Sequence, residues 1–89
     1  MNAEHNQNTH RFEIKADGEV AFLEYRPEKG AIALVHTKVP PALEGRGIAS
    51  ALATAAFDYA RSHQLKVVVI CPYVGGWLQK HPDQRDIVR

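Results

Sequence analysis

Apolar and polar residues alternate from residue 11 onward. Phe12, Ile14 and Ala16 are separated by polar neighbours, the period-two pattern of a half-buried strand. Asp17-Gly18 follows and predicts a tight hairpin, because Gly tolerates the positive φ that such turns need. Residues 20–26 read as a second strand, Pro27-Glu28-Lys29-Gly30 as a turn, and residues 31–38 as a third strand. Connections this short permit only antiparallel pairing, so the three segments predict a meander. Pro40-Pro41 stops the third strand, since neither proline has an N–H for the ladder.

The period then becomes helical over residues 47–63. Ile48, Leu52, Ala55, Ala56 and Tyr59 fall on one stripe at three- and four-residue spacing, and the many alanines let the helix lie close to a sheet. Residues 66–71 are apolar at consecutive positions and predict an interior strand covered on both faces. The third strand, the helix and this fourth strand form a β-α-β crossover with parallel strands. Pro72 opens a short helix through Lys80, although Gly75-Gly76 opposes it, and residues 83–89 add a last helical turn. Residues 1–10 are rich in Asn, Gln and His with no apolar period and predict a disordered arm, which leaves residues 11–89 as the single domain. His5 and His10 read as solvated tail residues, since no Cys or acidic cluster completes a metal site, and no metal is expected.

Composition narrows the class. The chain has 89 residues, 45% hydrophobic and 24% charged, with a formal net charge of +1. These are the proportions of an ordinary globular domain and do not suggest a general nucleic-acid binder. Its one cysteine, Cys71, cannot form an internal disulfide and fits a reducing compartment. The apolar runs are too short to span a bilayer, and the first residues carry no signal-peptide pattern, so the expected location is cytoplasmic with no membrane partner.

Gly45 and Gly47 sit between a strand end and a helix start. Their missing Cβ atoms allow a sharp turn and a close ligand approach. The first N–H groups of the helix lack internal partners, and the helix dipole favours an anion there, with Arg46 as an added cation. The turn suits a pyrophosphate; a tight connection without a ligand is the alternative. It lacks the third glycine of the dinucleotide fingerprint and the Gly-Lys-Ser/Thr ending of a P-loop.

The segment Val39-Pro40-Pro41-Ala42-Leu43-Glu44-Gly45-Arg46-Gly47-Ile48-Ala49-Ser50-Ala51-Leu52 resembles motif A of the GNAT acetyltransferases, Gln/Arg-x-x-Gly-x-Gly/Ala opening a helix after a strand. Gly47 and Ala49 occupy its two small positions, and Glu44 replaces the usual Gln or Arg. The chain is similar to minimal single-domain members, which also carry pairs like His36-Thr37, Cys71-Pro72-Tyr73 and His81-Pro82. The resemblance implies an α/β truncated GNAT fold: the three-strand meander, the β-α-β crossover and a short C-terminal helix. It implies acetyl-coenzyme A as co-substrate, with backbone N–H groups of Glu44, Gly45, Arg46, Gly47, Ile48, Ala49 and Ser50 around the pyrophosphate. Val39 is then near a pantetheine arm running between splayed third and fourth strands.

Acetyl transfer to an amine needs a base, a polarised carbonyl and an acid for the leaving thiolate. His36, in phase with Ile32 and Leu34, is the candidate base, with a structural histidine as the alternative. Cys71, at the start of the short helix, is a candidate nucleophile or a small buried hydrophobe. Tyr73 is the candidate acid, as a tyrosine after this strand is in GNAT enzymes, or packs against Trp77. His63 fits the helix dipole, and His81 reads as a turn residue or a ligand contact. Asp17-Gly18 joins the first strands without the helices that larger GNAT domains use to hold the acceptor, so that side is expected to be open. The expected function is acetyl-coenzyme A-dependent N-acetyl transfer to an amine, with a protein or peptide among the acceptors it allows. The alternative is a coenzyme A or acyl-coenzyme A binding module, a sensor or carrier. The expected state is a monomer or weak homodimer.

Overall fold

The computed structural model describes residues 2–89. Its sheet has five strands in sequence order: β1 (Glu4–Asn6), β2 (Arg11–Ala16), β3 (Glu19–Glu28), β4 (Ala31–Lys38) and β5 (Lys66–Val69). The first four pair antiparallel and β5 lies parallel to β4. Helix α1 (Ile48–Ser62) connects β4 to β5, helix α2 (Pro72–Lys80) follows, and 3-10 turns span Pro41–Leu43 and Pro82–Ile87. The expected meander, crossover and C-terminal helix are all present. Asp17 and Gly18 both take positive φ, at 53° and 75°, as a tight hairpin requires. No described helix is long and apolar enough to cross a membrane.

The core lies on one face of the sheet. Phe12, Ile14, Ala21, Leu23, Tyr25, Ile32 and Leu34 point into it from the strands. Helix α1 meets them with Ile48, Leu52, Ala53, Ala56, Phe57 and Ala60. The buried stripe is thus turned from the predicted one: Ala55 and Tyr59 are only half-buried, and Phe57 fills the centre. Helix α2 packs beside α1 on the same face, with Trp77 against Phe57 at 5.2 Å.

Four expectations are corrected. The arm predicted disordered over residues 1–10 contains β1, whose Glu4, His5 and Asn6 pair with Glu13, Phe12 and Arg11; Met1 lies outside the described residues. His5 is not a solvated tail residue. It stacks on Phe12 at 4.4 Å, meets Tyr59 edge-on at 4.4 Å, and its Nε2 lies 2.6 Å from the Tyr25 hydroxyl. The apolar segment at 66–71 is not an interior strand: β5 ends at Val69 on the outer side of β4. On its free side Val88 bridges Val67, and the Arg89 N–H donates to the Val67 carbonyl. Pro27 and Glu28 extend β3, so the predicted turn there narrows to Lys29-Gly30.

Candidate functional site

A bulge in β4 decides which side chains reach the site. Tyr25 pairs with Leu34, but Glu24 pairs with His36, so Val35 is an extra residue without a partner on β3. One extra residue reverses the alternation of faces. Thr37 therefore lies opposite the buried Leu23, on the helix-covered face. His36 is turned to the open face, where it is exposed and its ring meets Phe22 at 5.9 Å. The phase relation of His36 with Ile32 and Leu34 is broken by this bulge.

The sheet splits next to it. Strand β5 pairs with β4 only from Ala31↔Lys66 to Leu34↔Val69. The N–H groups of Ile70 and Cys71 then both donate to the Leu34 carbonyl, at 3.0 and 2.8 Å, where the two strands part. Residues 35–38 continue β4 with a ladder edge that no strand occupies on that side. Cys71 caps α2 with extended backbone, and Pro72 takes the first helical position. This places the buried Cys71 thiol 3.3 Å from Thr37 Oγ1.

An open cavity of about 420 Å³ runs from this split to the glycine turn. Thr37, Val39 and Tyr73 line one end, with Glu44, Gly45, Gly47, Ile48, Ala49 and Ser50 at the other. Gly45 and Gly47 have φ of 79° and 75°, a region where side chains are disfavoured, and a Cβ on either would project into open space. Gly47 is the N-cap of α1, and the first helical bond runs from the Ala51 N–H to the Gly47 carbonyl. The N–H groups of Ile48, Ala49 and Ser50 are therefore free at the positive end of the helix dipole. Glu44 differs: its N–H already donates to the Pro41 carbonyl at 3.3 Å. That withdraws Glu44 from the expected N–H cradle, although the residue lines the cavity. Arg46 is also displaced from the expectation. It does not line the cavity, and its Nη1 lies 2.7 Å from Asp17 in the β2–β3 turn.

Tyr73 lines the cavity and does not pack on Trp77. Burial pushes its phenol above the ordinary range, with the neighbouring Ser50 hydroxyl acting against this and Cys71 adding to it. The group is thus held protonated. Trp77 instead donates from Nε1 to Ser50 Oγ at 2.9 Å and stacks on His81 at 4.2 Å. His81 Nδ1 lies 2.9 Å from the Trp77 carbonyl. His63 closes α1, with Nδ1 2.9 Å from the Tyr59 carbonyl. The structure thus gathers Val39, the turn, Cys71 and Tyr73, and leaves His36 and Arg46 outside. Thr37 was missed as a site residue, because only its register against β3 shows which face it takes.

Comparison with known proteins places this arrangement. The profile of the GCN5-related N-acetyl-transferase family matches residues 11–87. Protein NATD1 of Xenopus tropicalis is 34% identical over 86 residues, covering 92% of this chain and 78% of the relative. Protein NATD1 of Danio rerio is 32% identical over 93 residues, covering 100% of this chain and 84% of the relative. The solution structure of a GCN5-like protein from Staphylococcus aureus superposes with a TM-score of 0.76 at 28% identity, covering 99% of this chain and 89% of that one. Family profile, relatives and fold extend over nearly the whole chain, and the chain belongs to the GCN5-related N-acetyltransferase family.

Proposed function

We propose that the protein is an acetyl-coenzyme A-dependent N-acetyltransferase acting on an amine. The observation that carries this reading is the continuous cavity joining free helix-start N–H groups to the split between β4 and β5. The residues fit the coenzyme. The free N–H groups of Ile48, Ala49 and Ser50 suit a pyrophosphate, and a side chain at Gly45 or Gly47 would occupy the space such a ligand needs. The unpaired edge of residues 35–38 offers backbone groups to an amide-bearing arm, alongside Val39.

The coenzyme supplies an activated acetyl thioester. Tyr73 holds a proton at its phenol oxygen beside the split, where a leaving thiolate needs one. Thr37 and Cys71 touch each other at the edge of the same space. The open sheet face, which carries no helix, leaves room for a large acceptor such as a protein segment. His36 lies on that face and is reached from the acceptor side rather than from the cavity. A base role for it therefore requires the acceptor itself to bridge the split. Location in the cytoplasm and a monomeric or weakly dimeric state accompany this reading.

The test is direct. Gly47→Glu brings bulk and a negative charge into the turn while leaving the core untouched. It should abolish coenzyme A binding measured by calorimetry, in a variant whose circular dichroism is unchanged. Unchanged affinity in the folded variant overturns the site. A binding module without turnover is favoured by one observation, the absence of a titratable base within the cavity apart from Glu44 and Tyr73. Acetyl-coenzyme A binding with no acetylation of any peptide or amine panel would establish that second reading.

A further inference from the structure

The cavity lining holds three hydroxyl side chains, Thr37, Ser50 and Tyr73, and only Thr37 has no task so far. Ser50 stands in the first turn of α1, where its Oγ accepts from Trp77 Nε1 at 2.9 Å. Tyr73 keeps the proton that a leaving thiolate takes. Thr37 stands on the stretch of β4 that β5 has left, between Val39 and the bulged Val35 at the split. Its side chain is fixed before any ligand arrives. The bulge turns it to the helix-covered face, opposite Leu23. A β-branched side chain has little freedom about χ1. Oγ1 lies 3.3 Å from Cys71 Sγ. Cys71 is held in turn by its N–H bond to the Leu34 carbonyl at 2.8 Å and by its place as N-cap of α2.

We propose that Thr37 polarises the acetyl carbonyl, with the Cys71 S–H donating to Oγ1 and the Thr37 O–H donating to the carbonyl oxygen. This rests on the acetyltransferase reading and supplies the carbonyl donor that transfer needs. A hydroxyl has one proton and two lone pairs, so it can accept from the thiol and still donate into the cavity. A donor fixed in advance stabilises the negative charge that collects on the oxygen during transfer, with no rearrangement at that moment. Thr37 keeps its proton throughout. The electron pair of the amine forms the new C–N bond, and the C–S bond breaks with its pair on sulfur. Tyr73 protonates the sulfur, the amine releases one proton to water, and water returns one to the phenol. Cys71 forms no covalent bond in this scheme, which suits a buried thiol.

Thr37→Val removes the hydroxyl and keeps the branched shape, whereas Thr37→Ser keeps the hydroxyl. Both variants of the whole chain should bind coenzyme A as the wild type does, since coenzyme A has no acetyl carbonyl, and calorimetry confirms that they are folded. Infrared spectra are then taken with acetyl-coenzyme A isotope-labelled at the acetyl carbonyl and no acceptor. The carbonyl band should move to lower wavenumber on binding to the wild type and to Thr37→Ser, and stay at its free position in Thr37→Val. With an acceptor, Thr37→Val should lower kcat by about 100-fold with little change in KM, the scale of one lost donor, and Thr37→Ser should restore most of it. Cys71→Ala loses the anchor and keeps the donor, so it should cost far less than Thr37→Val. A shifted band and wild-type kcat in Thr37→Val would assign the carbonyl to backbone N–H groups and overturn the proposal. A greater loss in Cys71→Ala than in Thr37→Val would overturn it as well, because the thiol would then act in its own right. A shifted wild-type band that Thr37→Val abolishes, with no acetylation of any amine, upholds the donor and overturns the transfer reading. A wild type that binds no acetyl-coenzyme A overturns both.

Discussion

Arg46 stands between two glycines at positive φ, and its guanidinium reaches Asp17 in the β2–β3 turn rather than the cavity. Held there, it ties the ligand turn to a hairpin some thirty residues earlier in the chain. Both side chains are about half exposed, so the pair is worth about 0–1 kcal/mol. Asp17→Asn keeps a residue that tolerates positive φ and removes the charge. It should lower coenzyme A affinity by no more than about fivefold, and Arg46→Ala should do the same. If Arg46 instead left Asp17 to hold a phosphate, Asp17→Asn would raise the affinity, and calorimetry distinguishes the two signs. Cys71 and Tyr73 divide in a similar way. The Cys71 thiol is buried against Thr37, and direct attack by the amine needs no thiolate. Cys71→Ala should retain most of the activity on the true acceptor. Tyr73→Phe should lower kcat by about 100-fold with little change in KM, the scale of a lost general acid. An acetyl group trapped on Cys71 at the rate of turnover would reverse this assignment.

Besides its ladder to β2, strand β1 is tied to the core through the His5 ring, so its docking responds to protonation. Burial lowers the imidazole below its ordinary value of 6.5, and the neighbouring His63 and His10 lower it further. Burial raises the Tyr25 phenol, with Tyr59 adding to it. The neutral imidazole then accepts from the protonated phenol across 2.6 Å. Because the folded value is depressed, the undocked strand takes up the proton first. The contribution is complete above 6.5 and is lost as pH falls from there toward the folded value. Amide exchange at Glu4–Asn6 should therefore accelerate, relative to intrinsic rates, as pH drops through this window. His5→Phe should flatten the dependence; an unchanged profile in that variant would remove His5 as its source. The same strand shows where sequence reading stops. Asp17-Gly18, Pro72 and the helical period of residues 48–62 act locally, so their elements were legible from the chain alone. Glu4, His5 and Asn6 have no apolar alternation, and their strand exists only because the edge of β2 is present to pair with it. The bulge at Val35 is likewise set by the partner strand β3, which is why His36 was placed on the wrong face and Thr37 was overlooked. The apolar pattern of residues 66–71 predicted burial on both sides, but the strands part at Leu34's carbonyl and leave Ile70 49% exposed. The glycine turn was legible because its chemistry is local, whereas the destination of Arg46 depends on a distant hairpin.

Helices α1 and α2 pack together on one face of the sheet, and the ligand site draws on β4, the turn, α1 and α2 together. Residues from Thr37 to Tyr73 must be assembled before the cavity exists, so a ligand of this site binds the folded chain and not the unfolded one. Such a ligand raises stability by RT ln(1 + [L]/Kd), about 2.7 kcal/mol at a hundredfold excess over Kd. For a domain of this size each kcal/mol moves the melting temperature by about 4–8 °C, so coenzyme A should raise it by on the order of 10 °C. The shift should be absent in Gly47→Glu. It should also be independent of His36, which lies across the sheet from the cavity. Scanning calorimetry at fixed protein concentration checks all three statements. A wild-type chain whose melting temperature does not move at saturating coenzyme A has no assembled coenzyme site. An equal shift in Gly47→Glu would mean that the coenzyme binds elsewhere on the fold.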